Sequence, residues 1–173
     1  MNYRRVFIEN SCVFLTIVTN NRRNILINNI ELIKKSFRNA ENYFKFDLIA
    51  YVILPDHFHL IIKPENINEY PKIITSIKYY SSKHFDVIGL ESPTYDRNKG
   101  IWQRRYFEHT IVSEEDLHNH LNYVHYNPVK HEEVKCVKDW QHSTFQKFVK
   151  LGNYDIDWGS MQDAEKIKEL NYE

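Results

Sequence analysis

The chain has 173 residues, enough for one domain with a proper core and too few for two ordinary ones. Its 23 Lys and Arg balance its 23 Asp and Glu, so net charge is zero, which argues against a continuous cationic coat for nonspecific nucleic-acid contacts. The two cysteines, Cys12 and Cys136, lie far apart and argue against a disulfide framework; no apolar run approaches the ~20 residues needed to span a bilayer, and the opening Met1-Asn2-Tyr3-Arg4-Arg5 has no secretory character, so a cytoplasmic protein is expected.

The charge is uneven. Residues 151–173 hold six acids and two bases, which leaves 21 bases and 17 acids over residues 1–150. A single domain over 1–150, followed by an acidic tail over 151–173 packed on it or extending from it, is the expected organisation.

Residues 12–19 read CVFLTIVT, a strand composition. A polar turn over 20–24 follows, and Asn28 or Asn29 can cap a helix running to about residue 43, with Ile30, Ile33, Phe37, Ala40 and Phe44 at helical spacing. Residues 46–54 return to strand character, Leu54-Pro55-Asp56 makes a turn, and 57–63 form the second arm of a hairpin. Pro71 opens a second helix to about residue 85, and 87–100 form an exposed loop. A fourth strand lies within 101–112. Ser113-Glu114-Glu115-Asp116 resembles a capping box opening another helix, which Asn127-Pro128 should end. The remainder is expected to be irregular, apart from a short helix near the C-terminus. This order predicts an α+β fold: a ferredoxin-like split βαββαβ antiparallel sheet with helices on one face, plus an added helix. Such a fold hosts many chemistries, so function must be argued from the site.

His57-Phe58-His59 falls on a predicted strand, where residues i and i+2 share a face. Two parallel imidazoles suit a divalent metal ion. Taken alone, so short a pattern is more often chance or a pair of hydrogen-bonded surface histidines. On the helix 113–127, Leu117, Leu121 and Val124 form the stripe that faces the sheet, and Tyr123 and Asn127 share a face beside it. Tyr126 falls on the opposite, solvent side. Asn127 can serve as a third, oxygen ligand or merely as a C-cap; Tyr123 alone could be a packing residue. Together the four gain meaning. A metal held by two His and one oxygen keeps open positions for a phosphate oxygen and a leaving 3′ oxygen, and a nearby tyrosine is placed as a nucleophile.

At this point the sequence resembles the HUH-type single-tyrosine transposases, especially the REP-associated tyrosine transposases of bacteria. The resemblance rests on Tyr3-Arg4-Arg5, Asn21-Arg22-Arg23, Leu54-Pro55-Asp56-His57-Phe58-His59, Ile101-Trp102-Gln103-Arg104-Arg105-Tyr106-Phe107-Glu108-His109, and Asn122-Tyr123-Val124-His125-Tyr126-Asn127-Pro128-Val129-Lys130-His131. Asp139-Trp140, Ser143-Thr144-Phe145 and Ile156-Asp157-Trp158 extend it, in order and over most of the chain. It implies metal binding by His57, His59 and Asn127, a catalytic Tyr123, and Mg²⁺ or Mn²⁺ as cofactor. It implies cleavage and rejoining of single-stranded DNA carrying REP-like hairpins, through a 5′-phosphotyrosine link. It also implies a monomer rather than the tyrosine-exchanging dimer of related insertion-sequence enzymes.

Candidate DNA contacts are the basic pairs Arg4-Arg5, Arg22-Arg23 and Arg104-Arg105, with Tyr3 and Trp102 stacking on unpaired bases. Each Arg pair could equally be a solvated turn or strand edge. Lys78 and Lys83 read as plain surface lysines. His109, His118, His120, His125 and His131 are not expected to ligate metal, although His120 lies on the Tyr123 side of its helix. The acidic tail has no assignable chemistry. Two other classes compete: a zinc hydrolase, for which Asp56 is the only neighbouring extra ligand, and a hairpin-binding module that does not cut.

Overall fold

The structure is a computed structural model that describes residues 6–85 and 100–159. The candidate contacts Tyr3, Arg4 and Arg5, most of the expected 87–100 loop, and residues 160–173 of the tail lie outside the described residues.

β1 (Val13–Val18) is buried over nearly its whole length because it sits inside the sheet with a packed layer on each face. β2 (Phe46–Ile53) and β3 (His57–Pro64) form the expected hairpin, closed where the Leu54 N–H donates to the His57 carbonyl at 2.8 Å. β4 (Phe107–Thr110) completes an antiparallel sheet of order β2-β3-β1-β4. α1 (Ile30–Glu41) links β1 to β2, and α2 (Tyr70–His84) links β3 to β4, which is the ferredoxin-like split pattern.

Directly opposed residues of antiparallel strands share a face. Val13, Leu15 and Ile17 oppose Ile62, Leu60 and Phe58, and this face buries Ile33, Phe37 and Ala40 of α1 with Ile73, Ile74 and Ile77 of α2. Phe14 and Thr16 oppose Ile61 and His59 on the other face. There the third helix, α3 (Glu114–Lys130), packs Tyr123 and Val124 against Phe14, Val52 and Ile61. The added helix therefore covers the side of the sheet that α1 and α2 leave open. Ser113 caps it as expected: its hydroxyl accepts from the Asp116 N–H at 3.0 Å.

Four expectations fail for identifiable reasons. Asn29 stands before α1, but its side chain donates back to the Ile25 carbonyl at 2.8 Å and does not cap the helix. α3 does not end at Asn127-Pro128; it runs through Pro128 to Lys130. Proline deletes one donor only, and the turn beyond it is held by His131 N–H on the Asn127 carbonyl (3.0 Å) and Glu133 N–H on the Pro128 carbonyl (2.9 Å). Asn127 is thus a helix-interior residue and not a C-cap. Lys78 is buried, its ammonium donating to the Gln103 carbonyl at 2.7 Å.

The fourth failure concerns the segment after α3. It contains α4 (Phe145–Lys150) and wraps the outer side of α3, so Tyr126 is buried with Val137, Phe145 and Trp158 instead of facing solvent. The same segment hydrogen-bonds along the edge strand β2, with Ile53 N–H to the His142 carbonyl at 2.9 Å and Thr144 N–H to the Tyr51 carbonyl at 3.0 Å. That covers part of an otherwise open edge. His125, on the same outer side, is buried with Nε2 2.9 Å from Thr144 Oγ1, and burial pushes it down to about 3. No helix among the described residues is long and apolar enough to cross a membrane.

Candidate active site on the open face of the sheet

His57 and His59 project from β3 toward α3, with ring centroids 4.9 Å apart and planes at 82°. Each has its Nδ1 held. His59 Nδ1 lies 2.9 Å from Oγ1 of Thr16, its cross-strand partner, and His57 Nδ1 lies 2.5 Å from the Asp56 carboxylate. Held this way, both rings turn Nε2 away from these partners, as in sites where an outer carboxylate or hydroxyl orients a metal-binding imidazole. Asp56 also accepts from the Arg22 guanidinium at 3.0 Å. Burial pushes its carboxyl up, but the bonds from His57 and Arg22 outweigh this and hold it below the usual carboxylate range.

α3 supplies the other half. The Tyr123 ring stands 5.3 Å from His59 and edge-on to Phe14 at 5.8 Å. The His131 ring stands 4.9 Å from His57. Asn127 lies one helical turn from each, so its side chain is bracketed by the two residues that touch the histidine pair. It is fully buried, and neither its amide oxygen nor its amide nitrogen has a hydrogen-bond partner among the described residues. An amide left so costs about 1–3 kcal/mol, which calls for an unseen partner. Two imidazoles and an amide oxygen are a suitable donor set for a divalent cation. Lys130, two turns beyond Tyr123, donates to the Tyr123 hydroxyl oxygen at 3.2 Å and lies 4.7 Å from its ring centroid.

A second grouping was not foreseen. His109, Asp116 and His120 bring potential ligand atoms within 4.8 Å of one another, a spacing compatible with a divalent ion. Asp116 accepts from the Val112 N–H and lies 2.9 Å from His109 Nε2, while His120 Nδ1 lies 2.8 Å from the Asp116 carbonyl. The two rings are nearly parallel, 13° apart at 4.6 Å, so their in-plane lone pairs do not converge on one point as they stand. As it stands, the trio ties β4 to the start of α3. Burial pushes His120 down, which suits a neutral ring.

The candidate DNA contacts separate. Arg104 and Arg105 are exposed. Arg22 is half exposed while bonded to Asp56. Arg23 is committed to the carbonyls of Asn20 and Gly100. Trp102 does not fit a base-stacking role: it is 4% exposed, edge-on to Phe58, with its indole N–H donating to Ser81 at 3.1 Å. Sequence reasoning missed Thr16, which the strand register reveals, and Lys130, which falls on the Tyr123 face once α3 continues past Pro128.

Comparison with known proteins identifies the family. The family described as "Transposase IS200 like" matches residues 8–127. A REP-associated tyrosine transposase from Escherichia coli K12 is 35% identical over 159 residues, covering 90% of this chain and 89% of that protein. A relative from Haemophilus influenzae, provisionally assigned the same name, is 38% identical over 175 residues and covers 96% of this chain and 97% of itself. A solved REP-associated tyrosine transposase bound to a REP hairpin superposes with a TM-score of 0.79 at 32% identity, covering 91% of this chain and 90% of the other. The chain belongs to the IS200-like transposase family, among its REP-associated tyrosine transposases.

Proposed function

We propose that the protein binds single-stranded DNA hairpins of the REP type and nicks and rejoins the strand beside them, with Tyr123 as nucleophile. The observation that carries this reading is the Tyr123 ring beside the His57 and His59 pair, with the buried, unsatisfied amide of Asn127 one turn further along the same helix. Support for the hairpin as ligand comes from the similar protein solved with one.

Tyr123 Oη attacks phosphorus, the bond from phosphorus to the 3′ oxygen breaks, and a 5′-phosphotyrosine and a free 3′-OH result. Attack by another 3′-OH reverses these steps, so the energy of the ester is kept. His57, His59 and Asn127 would hold Mg²⁺ or Mn²⁺, which when bound supplies electrophilic activation of the phosphate. Asp56 and Thr16 fix the two imidazoles in orientation. Arg22, Arg104 and Arg105, together with Arg4 and Arg5, contact phosphates or base edges, and Tyr3 stacks on an unpaired base. Residues 1–150 act as one catalytic domain working as a monomer, with the acidic 151–173 tail packed on it or extending from it. Docking of α3 on its own sheet supports the monomer.

The test uses labelled single-stranded oligonucleotides carrying the imperfect palindromes that flank the gene, incubated with protein and Mg²⁺ or Mn²⁺. A metal-dependent covalent band on a denaturing gel, absent in Tyr123→Phe although that variant still shifts the hairpin on a native gel, is expected. A tight shift with no covalent band from the parent protein would instead indicate a hairpin-binding module.

A further inference from the structure

The turn that α3 gains by running through Pro128 brings a cation to the attacking oxygen. Seven residues at about 100° each return to within about 20° of the starting direction, so Lys130 shares the face of Tyr123. The two positions are about 10 Å apart along the axis. Helical side chains lean toward the N-terminus, so a lysine on the C-terminal side is the one able to reach back. Lys130 does so: its ammonium is 3.2 Å from Tyr123 Oη and 4.7 Å from the ring centroid, and the side chain is half-buried.

We infer that Lys130 is the electrostatic partner of the reacting tyrosine oxygen, an inference that rests on Tyr123 being the nucleophile. As Oη bonds to phosphorus, the phenol proton passes to solvent and the departing 3′ oxygen takes one up; Lys130 keeps its own proton and donates a hydrogen bond throughout. In the reverse direction the same donor stabilises the phenolate as it leaves phosphorus. A fixed ammonium aimed at a site of developing negative charge, half shielded from water, is worth far more than one on an open surface. A tyrosine ester must serve as both product and leaving group here, so one cation assists both halves of the exchange.

The experiment measures single-turnover cutting of a hairpin oligonucleotide with Mn²⁺, and hairpin affinity in EDTA, on the full chain. Lys130→Met is expected to cut about 100-fold slower or worse, the loss typical of one donor to a developing oxyanion, with affinity unchanged within about threefold. Lys130→Arg, which keeps the charge, should stay within about tenfold of the parent. Trifluorotyrosine at position 123 carries negative charge more readily, so in the Lys130→Met background it should recover about tenfold or more. Cutting by Lys130→Met near the parent rate overturns the inference. So does a loss of affinity that matches the loss of cutting, or no recovery with the fluorinated ring. Tyr123→Phe that still cuts would instead sink the nucleophile assignment, whatever Lys130 does.

Discussion

Asn127→Leu should move stability and metal response in opposite directions. The amide is fully buried, and neither of its polar atoms has a hydrogen-bond partner among the described residues. Leucine has a similar shape and removes the desolvation cost, which mutational data place at about 1–3 kcal/mol. It is also the better helix former by a few tenths of a kcal/mol. In EDTA the variant should therefore melt higher, by about 2–4 °C for each kcal/mol gained in a chain of this size. The parent should gain on adding Mn²⁺, by about 2.7 kcal/mol where the ion stands at about 100 times its Kd. The variant should lose most of that gain together with cutting. Differential scanning fluorimetry with and without Mn²⁺ reads both. A variant less stable than the parent in EDTA would show that the amide already has partners, and the argument for a ligand role would fall.

Further substitutions check the framework. Trp102→Ala should cost about 3–5 kcal/mol of unfolding free energy in urea, as a core truncation does, because Trp102 is buried against Phe58 and bonded to Ser81; a DNA-affinity loss with unchanged stability would restore the stacking role. His125 is held neutral by burial, down at about 3, so below about pH 6.5 the unfolded chain binds a proton that the native state refuses. Its stabilising contribution is complete above that pH and is lost as pH falls toward 3, at up to about 1.4 kcal/mol per unit; His125→Gln should flatten that acid limb in pH-dependent melting. Gly159 adopts φ +77°, and a Cβ there would sit 2.5 Å from Val137 Cγ2. Gly159→Ala should therefore destabilise by about 1–2 kcal/mol or more from backbone strain alone, and Val137→Ala should recover part of the loss because it opens the space.

Much of the fold was legible because its signals were local. The strand composition of residues 12–19, helical spacing on α1 and the Ser113 cap each needed only a few neighbouring residues. The His57 and His59 pairing followed from the two-residue period of a strand. What was not legible depended on tertiary context. Pro128 reads as a stop by its missing donor, yet packing on both sides of α3 keeps the helix going. Tyr126 reads as exposed because helical geometry puts it opposite the sheet; only the long-range return of residues 137–158 buries it. Trp102, in a stretch carrying Arg pairs, looked like a stacking platform, but a ring of that size beside Phe58 gains more from the core. The His109, Asp116 and His120 grouping joins a strand to a helix start, a neighbour relation that sequence spacing alone does not fix.

Whether Tyr123 serves its own histidines follows from how α3 is anchored. Tyr123 touches His59 and Phe14 of the same chain, and Val124 is fully buried in the same layer. On its outer side, His125 and Tyr126 are covered by residues that also hydrogen-bond to β2. Exchanging α3 with a second copy would break both layers at once, so action within one chain is expected. Mixing inactive Tyr123→Phe with inactive His59→Ala tests this. Within one chain no site has both groups, and cutting stays at background. With exchanged helices in a symmetric dimer, random mixing at equal amounts would give about one intact site in four. Recovery approaching that level after co-refolding would mean that the docked α3 is not the catalytic arrangement, and the monomer reading would fall with it.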